Sequence, residues 1–468
     1  MSRTTKLLTV LTATALASGV LVAAGPPSAA DDEVFAATSA IAVPGNPITS
    51  FDISFVDPAI GLYLLADRSN KAIDVFDTAT NKFVGQFGHG LFTGTAACTP
   101  PAGANDCAGP DGVLTVDGKE IWAGDGDSTI KVFDIAAGPS AAPTHIINTG
   151  GKRRADELCF DPVDHIVLMA NDAEEPFPFV TFISTQSHSV IGTPLVFDGT
   201  KGTVKATNGI EQCQWSPRTG KFLLNIPEVD GPGDDTAAGA VVVLDPVSQA
   251  VENIFIIPLD KCAGPQGMAI GPRNQVLLGC NAPGPTGTNA TAIINVRSGA
   301  VIATLPNESG ADEVWFNPGD GHYYLARSSA VPPGSTTLSG WPGNKDQIFA
   351  QQMLGVVDSG AGRKEDESVI TADVSRVGGS TAGHAPGSHS VAADPVKNQV
   401  YVPIGAFAGS TVKTCSSASG GKISDAQGCI AVYTTPKLDN DDKACVAEGA
   451  PVIAVDDGES SFMRGRCR

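Results

Sequence analysis

The chain has 468 residues, with 30 Lys and Arg against 50 Asp and Glu and a formal net charge of −20. A surface of that sign repels nucleic acid and anionic membranes, so neither a nucleic-acid partner nor membrane insertion is expected; it attracts cations instead. With 53 Gly and 33 Pro spread among short β-branched runs and no amphipathic helical stretch, the composition points to an all-β protein.

Residues 1–30 read as a secretory signal. Arg3 and Lys6 give a basic start, 7–24 is apolar, and Pro-Ser-Ala-Ala at 27–30 offers small residues for cleavage. The alternative is a membrane anchor, but Ser and Thr dilute the run and it is short for a span. Cleavage takes away two positive charges and no negative ones, so the secreted chain is more acidic still. No other stretch is apolar enough to cross a bilayer.

From residue 50 onward one pattern is written seven times. Its copies are SFDISFVDP (50–58), GPDGVLTVD (109–117), ADELCFDP (155–162), GIEQCQWSP (209–217), GPQGMAIGP (264–272), ADEVWFNP (311–318) and GSHSVAADP (387–395). Each opens on a polar residue, runs through a short apolar strand and closes in a turn; a second strand follows, as in GLYLLAD or HIVLMAND. Length alone suggests about three domains at roughly 150 residues each, but a fixed-period repeat overrides that prior. Each repeat divides into four strands, in the first at 51–56, 61–66, 72–77 and 82–87. The third strand arrives late in the sixth and seventh repeats, at 354–358 and 429–434. A single antiparallel sheet cannot bury both faces, whereas a ring of stacked sheets can, so seven four-stranded units predict a seven-bladed β-propeller over 31–436. The seventh unit lacks a fourth strand after residue 434. FAATSAIAVPG at 35–45 resembles one, and the mature N-terminus is predicted to close the ring. Residues 437–468 read as a tail pinned by a disulfide.

Ten cysteines in an exported chain imply disulfides. Cys98 with Cys107, Cys415 with Cys429, and Cys445 with Cys467 are the expected pairs. Cys262 and Cys280 lie on neighbouring strands and can meet. Cys159 and Cys213, on inner strands of successive repeats, are either bridged or core thiols.

The long connections, including 171–178, 226–238, 328–352 and 404–427, fall on one face, called the upper face. Aligning the repeats on their inner strands brings Asp52, Asp111, Asp156, Glu211, Gln266, Asp312 and His389 to the same position, at the upper mouth of the central channel. Asp67, Asp125, Asn171, Asn225, Asn281 and Arg327 end the second strands and form a second set, which the seventh repeat breaks near Ile404. Neighbouring carboxylates about 7 Å apart repel by about 2 kcal/mol at an effective dielectric of about 20. A divalent cation, calcium by ligand type, held by Asp52, Asp111, Asp156, Glu211 and Asp312 offsets this, with His389 as a further ligand or a general base. Lys152, Arg153, Arg154 and Arg327 offer the alternative of an internal salt-bridge network, and protonation a third route. Glu157 and Glu313 follow ring members and read as structural; His384 reads as a surface histidine. The acidic loops at 171–176 and 228–235 are solvated loops or cation loops. Asn289-Ala-Thr and Asn307-Glu-Ser match the N-glycosylation pattern. No serine-hydrolase elbow, zincin, Walker A or dinucleotide motif occurs.

IDVFDTATNKFVGQF (73–87) resembles the YVTN repeat of surface-layer and YncE-like propellers. GPDGVLTVDGKEIWAGDGDSTIKVFD (109–134) resembles blades of the NHL and gluconolactonase-like groups. The resemblance spans most of 35–436 and implies the fold; these families include binders, lactonases and redox-partner domains, so function is not implied with it. In gluconolactonase-like enzymes a catalytic divalent metal sits at the channel mouth on Glu, Asn and Asp. Pro110-Asp111-Gly112 is similar to that family's Pro-Asp-Gly, which makes Asp111 a candidate ligand by resemblance. Glu211 stands where that family has Asn, and Asp52 where it has Glu. Two functions follow as expectations. The first is a monomeric extracellular binding module that meets a small molecule, protein or glycan at the upper face. The second is a metal-dependent lactonase or esterase in which the metal polarises a carbonyl and activates water, and His389 moves protons.

Overall fold

The computed structural model describes residues 37–95, 98, 105–282, 290–306, 310–327, 352–359, 372–378, 388–406 and 413–434. The expected tail, its Cys445–Cys467 pair, the signal segment, His384 and the asparagines of both glycosylation motifs, Asn289 and Asn307, lie outside these residues. The chain divides into Met1–Val34 and Phe35–Arg468, and all described residues belong to the second unit.

Alternating apolar strands and Asp-Pro or Gly turns fold into seven four-stranded antiparallel sheets. Blade 1 comprises Ser54–Asp57, Leu62–Asp67, Ala72–Asp77 and Lys82–Phe87, and blade 3 comprises Leu158–Asp161, Ile166–Asn171, Phe179–Ser184 and Ser189–Val196. In blade 6 the late third strand is Gln352–Asp358, followed by Ala372–Gly378. Blade 7 is closed as expected: Ser39–Ile41 pairs antiparallel with Cys429–Thr434, Ser39 opposite Val432. The first strand of every blade packs on the first strands of its two neighbours, and the last blade's on the first's, so these seven strands ring the axis.

The Asp-Pro turns are specified by side chains. Asp57, Asp161 and Asp394 each accept a hydrogen bond from the main-chain N–H two residues on, at 2.9, 2.8 and 2.7 Å, an Asx turn that ends the inner strand. Asn317 does the same for Gly319 at 3.0 Å.

The core is divided between blades. Seven apolar clusters fill the seven interfaces: Leu168, Phe182, Phe222 and Val242 between blades 3 and 4, and Tyr63, Tyr401 and Val432 where blade 7 meets blade 1. Both faces of an interior strand are thus buried, which is why strands such as Ile166–Asn171 are apolar almost throughout. Among the described residues four disulfides form: Cys98–Cys107, Cys415–Cys429, Cys262–Cys280 and Cys159–Cys213. The last resolves the open alternative in favour of a bridge, with Cα atoms 5.8 Å apart across two inner strands. Four disulfides are consistent with an oxidising, extracellular setting. No helix of the described residues is long and apolar enough to cross a membrane.

Candidate functional site

The backbone sets the ring. The N–H of Asp52, Asp111, Asp156, Glu211 and Asp312 each donates to a second-strand carbonyl of its own blade: Ala66, Gly124, Ala170, Asn225 and Ala326, at 2.9, 3.1, 2.9, 2.9 and 3.2 Å. Neighbouring inner strands also touch. Gly112 N–H donates to the Asp156 carbonyl at 2.7 Å and Glu313 N–H to the His389 carbonyl at 3.0 Å. A Cβ on Gly112 would lie 2.1 Å from that Asp156 oxygen. Gly112→Ala is therefore expected to lose about 1–3 kcal/mol by overpacking, read as a lower urea midpoint; an unchanged midpoint would mean the inner strands can part without cost.

Within the ring, one arc draws together most closely. Ligand oxygens of Asp52, Asp111 and Asp156 all lie within 4.8 Å of one another, and all three residues are buried. This triad could hold a metal ion. Glu211, Gln266, Asp312 and His389 are half-buried around the rest of the mouth. Two guanidinium groups sit among these acids. Arg68, only 3 % exposed, contacts Asp52 Oδ2 and Asp111 Oδ1 through one Nη2, and its Nε donates to Asp111 Oδ1 at 3.2 Å. Arg154 pairs with Asp156 at 2.9 Å and with Asp172. His389 Nε2 lies 2.8 Å from Asp52 Oδ1, and its ring stacks on Phe51 with centroids 5.2 Å apart.

The charges respond. Burial alone would raise the Asp52 carboxyl, but Arg68 and His389 outweigh it and hold Asp52 well below the usual range. Burial dominates at Asp111 and Asp156; against Arg68 and Arg154 respectively, it pushes both well above the ordinary carboxyl value, with help from their acidic neighbours. Glu211 is raised strongly by burial and then by Asp172 and Asp312, and Asp312 is raised by burial against His389. His389 itself is raised: burial works against the charged ring, and the bond to Asp52 more than restores it. Within the triad, Asp111 Oδ2 is fully buried and accepts no hydrogen bond; the same is true of Gln266 Oε1 elsewhere in the ring.

A second layer lies one residue further along the inner strands. Glu157 of blade 3 and Glu313 of blade 6 form a carboxyl–carboxyl hydrogen bond, and burial first, then each acid's neighbours, raise both well above the ordinary range. Gln212 Nε2 donates to Glu313 Oε2 at 2.6 Å, while Met268 N–H donates to Gln212 Oε1. These side chains come from blades 3, 4 and 6, so they bind the inner strands to one another beneath the ring.

Several members of the second set make buried hydrogen bonds or ion pairs within and between blades. Asn171 Nδ2 donates to Ser128 Oγ at 2.9 Å. Asp125 accepts from Thr93 Oγ1 at 2.8 Å and pairs with Lys131. Asp67 accepts from Asn70 and shares a buried contact with Asp74; Arg327 is fully buried. Two members are out of register. Ser54 pairs with Leu65, two residues before Asp67, whereas Cys213 pairs with Leu224 and Met268 with Leu278. The equivalent positions are thus Ile226 and Cys280, not Asn225 and Asn281. A slip of one residue in a strand turns the side chain to the opposite face, and Asn225 reaches across to the Gln266 and Gly267 carbonyls at 2.7 and 2.8 Å.

In the acidic loops several acids are tied inward, while Glu175, Asp230 and Asp234 are exposed. Glu228 is fully buried and accepts from Thr207 Oγ1 at 2.7 Å and from Thr236 N–H at 3.0 Å. Burial would raise it, but these donors hold it below the usual range. In the other loop Glu174 accepts from Arg153 N–H at 2.6 Å and Asp172 takes Arg154. Arg68, Asp172 and Gln212 are the functional neighbours that sequence reasoning missed. Arg154 was named beforehand because it adjoins Asp156; Arg68 is 43 positions from Asp111 and carries no such local signal.

No family model matches the chain, and no curated protein matches it. Solved structures do. A chain of the mitotic checkpoint complex is 12 % identical, covers 91 % of this chain and 99 % of its own, with a TM-score of 0.51. A chain of hydrazine synthase from Kuenenia stuttgartiensis is 14 % identical over 76 % and 92 %, with a TM-score of 0.52. The WD40 repeats of RRP9 are 8 % identical over 86 % and 99 %, with a TM-score of 0.53. At these identities the likeness concerns the fold alone: the chain is a seven-bladed β-propeller whose distant structural neighbours are of the WD40 type.

Proposed function

We propose that this protein is an extracellular binding propeller whose acidic upper mouth is its ligand site, and that Asp52, Asp111 and Asp156 there hold a divalent cation, calcium by preference. Glu211 and Asp312 extend the negative wall on which a small molecule, protein or glycan docks. The observation that carries this reading is Asp111 Oδ2, a fully buried acceptor with no donor within a triad of mutually close carboxylates. An unpartnered buried acceptor costs about 1–3 kcal/mol, more when charged, and a hard cation is the ligand that relieves it. Hard divalent ions take carboxylate oxygens, which is the donor set present. The resemblance to gluconolactonase-like propellers points to the same Asp111.

The lactonase reading is less well supported. A general base must be neutral to accept a proton, whereas Asp52 favours the charged form of His389.

Calorimetric titration of calcium into purified protein is expected to give saturable binding with Kd of about 10⁻⁴–10⁻³ M, the range of extracellular calcium modules. Asp111→Asn is expected to weaken it at least ~10-fold, since one ligand charge is lost. Absence of saturable binding at millimolar calcium, manganese or magnesium would remove the cation from the reading.

A further inference from the structure

We propose that Arg68 is a tethered counter-ion standing in the cation's place, so that cation binding at the mouth is an exchange in which the guanidinium leaves Asp52 and Asp111. This rests on the cation reading above and adds to it the residue that sets the site's affinity.

The geometry carries the argument. A single nitrogen of Arg68 meets carboxylate oxygens from two adjacent blades, Asp52 Oδ2 and Asp111 Oδ1. That is the bridging position a metal takes between two monodentate carboxylates. Guanidinium groups pair best as forks, two N–H donors on the two oxygens of one carboxylate. Here the fork is not used on either partner. Asp111 accepts both Nε and Nη2 on the same Oδ1, and its Oδ2, fully buried, is left with no donor. The residue as a whole is 0 % exposed, so bulk solvent does not reach it. Arg68 therefore neutralises part of the charge while leaving an acceptor unused, which a cation with six to eight oxygen ligands would not do.

Charge gives the same direction. Asp52, Asp111, Asp156 and Asp172 face Arg68, Arg154 and the His389 ring, four acids against three basic groups. Burial disfavours the ionised carboxylates at Asp111 and Asp156, and a divalent ion offsets more of that charge than one guanidinium does. The two arginines differ in what holds them. Arg154 is fixed from outside the triad by Asp172, through both Nε and Nη2. Among the described residues, the hydrogen bonds of the Arg68 side chain go to the triad's own carboxylates, so a cation that takes those oxygens also takes its anchors. Arg68 is the first residue beyond the strand Leu62–Asp67, in the short turn to the next strand.

The test uses manganese(II) as probe, followed by calorimetry and by its paramagnetic resonance signal, on the full secreted chain. Arg68→Met, which keeps length and removes charge, is expected to bind manganese on the order of 100-fold more tightly than wild type, because loss of a buried ion-pair partner leaves the two carboxylates uncompensated. Arg68→Lys keeps the charge and is expected to stay within a few-fold of wild type. Arg68→Met combined with Asp111→Asn is expected to lose the gain. Should the Met variant not fold without metal, Arg68→Gln provides the neutral comparison, and refolding that depends on manganese supports the exchange. If manganese binds the neutral variant no better than wild type, Arg68 is not a competitor and the cation reading alone survives. If neither wild type nor the neutral variant binds, both fall together.

Discussion

Replacing both Cys159 and Cys213 by Ala is expected to lower the unfolding free energy by about 4 kcal/mol. The bridge closes a loop of 54 residues, and in the chain-entropy account a loop of that length restricts the unfolded chain by that amount. It joins the inner strands of blades 3 and 4, whose heads carry Asp156 and Glu211 only a few residues upstream. Two consequences separate this bridge from an ornamental one. The urea midpoint falls while the m-value rises, because the unbridged denatured chain is more expanded, and calcium affinity falls with it, because the two ring carboxylates are no longer held to a common spacing. A double variant within 1 kcal/mol of wild type would show that apolar packing between blades already fixes that interface.

The second large effect concerns pH. Asp67 and Asp74 are both fully buried, and each is raised by burial, Asp74 strongly, with Asp67 adding to it. A buried pair of this kind is expected to share a proton, while Gln86 Nε2 donates to Asp74 Oδ1 at 2.8 Å and Asn70 donates to Asp67. The sign follows from linkage. An Asp in the unfolded chain releases its proton near pH 3.9, whereas the folded pair keeps one to a higher pH. Between those two values the native state binds more protons than the unfolded one, so stability is greatest at the acid end of the window and falls as pH rises through it, by about 1.4 kcal/mol per pH unit for each proton retained. Asp74→Asn supplies a permanent N–H donor in place of the shared proton and keeps an oxygen for Gln86. It is expected to flatten the profile and to leave the variant more stable than wild type at neutral and alkaline pH. Urea midpoints at pH 5 and pH 9 decide it: parallel declines in both proteins would mean that the pair carries no shared proton.

Much of this protein is written locally. Each blade repeats the same instructions: a polar head residue, a short apolar strand, an Asp or Asn that caps its own turn, and a second apolar strand. Such signals act over a few residues, so seven copies can be counted, and the missing fourth strand of the last copy identifies 35–45 as the closing segment, where Ser39–Ile41 indeed pairs. The heads of the inner strands were legible for the same reason. The second set was legible only in part, because register depends on how two strands pair, and a one-residue offset in blades 4 and 5 puts Ile226 and Cys280 where a count along the chain places Asn225 and Asn281.

Who neutralises whom was decided in three dimensions. Arg68 reaches Asp111 over 43 positions and His389 reaches Asp52 over 337, distances at which no sequence pattern operates. The same holds for Glu157 and Glu313, whose partnership exists only because blades 3 and 6 meet at the axis. Coulomb energy depends on separation and on the surrounding dielectric, and both are properties of the closed ring. The sequence by itself determined that acids would gather at one mouth; the closed fold determined which of them are held by arginine and which buried oxygen still lacks a donor.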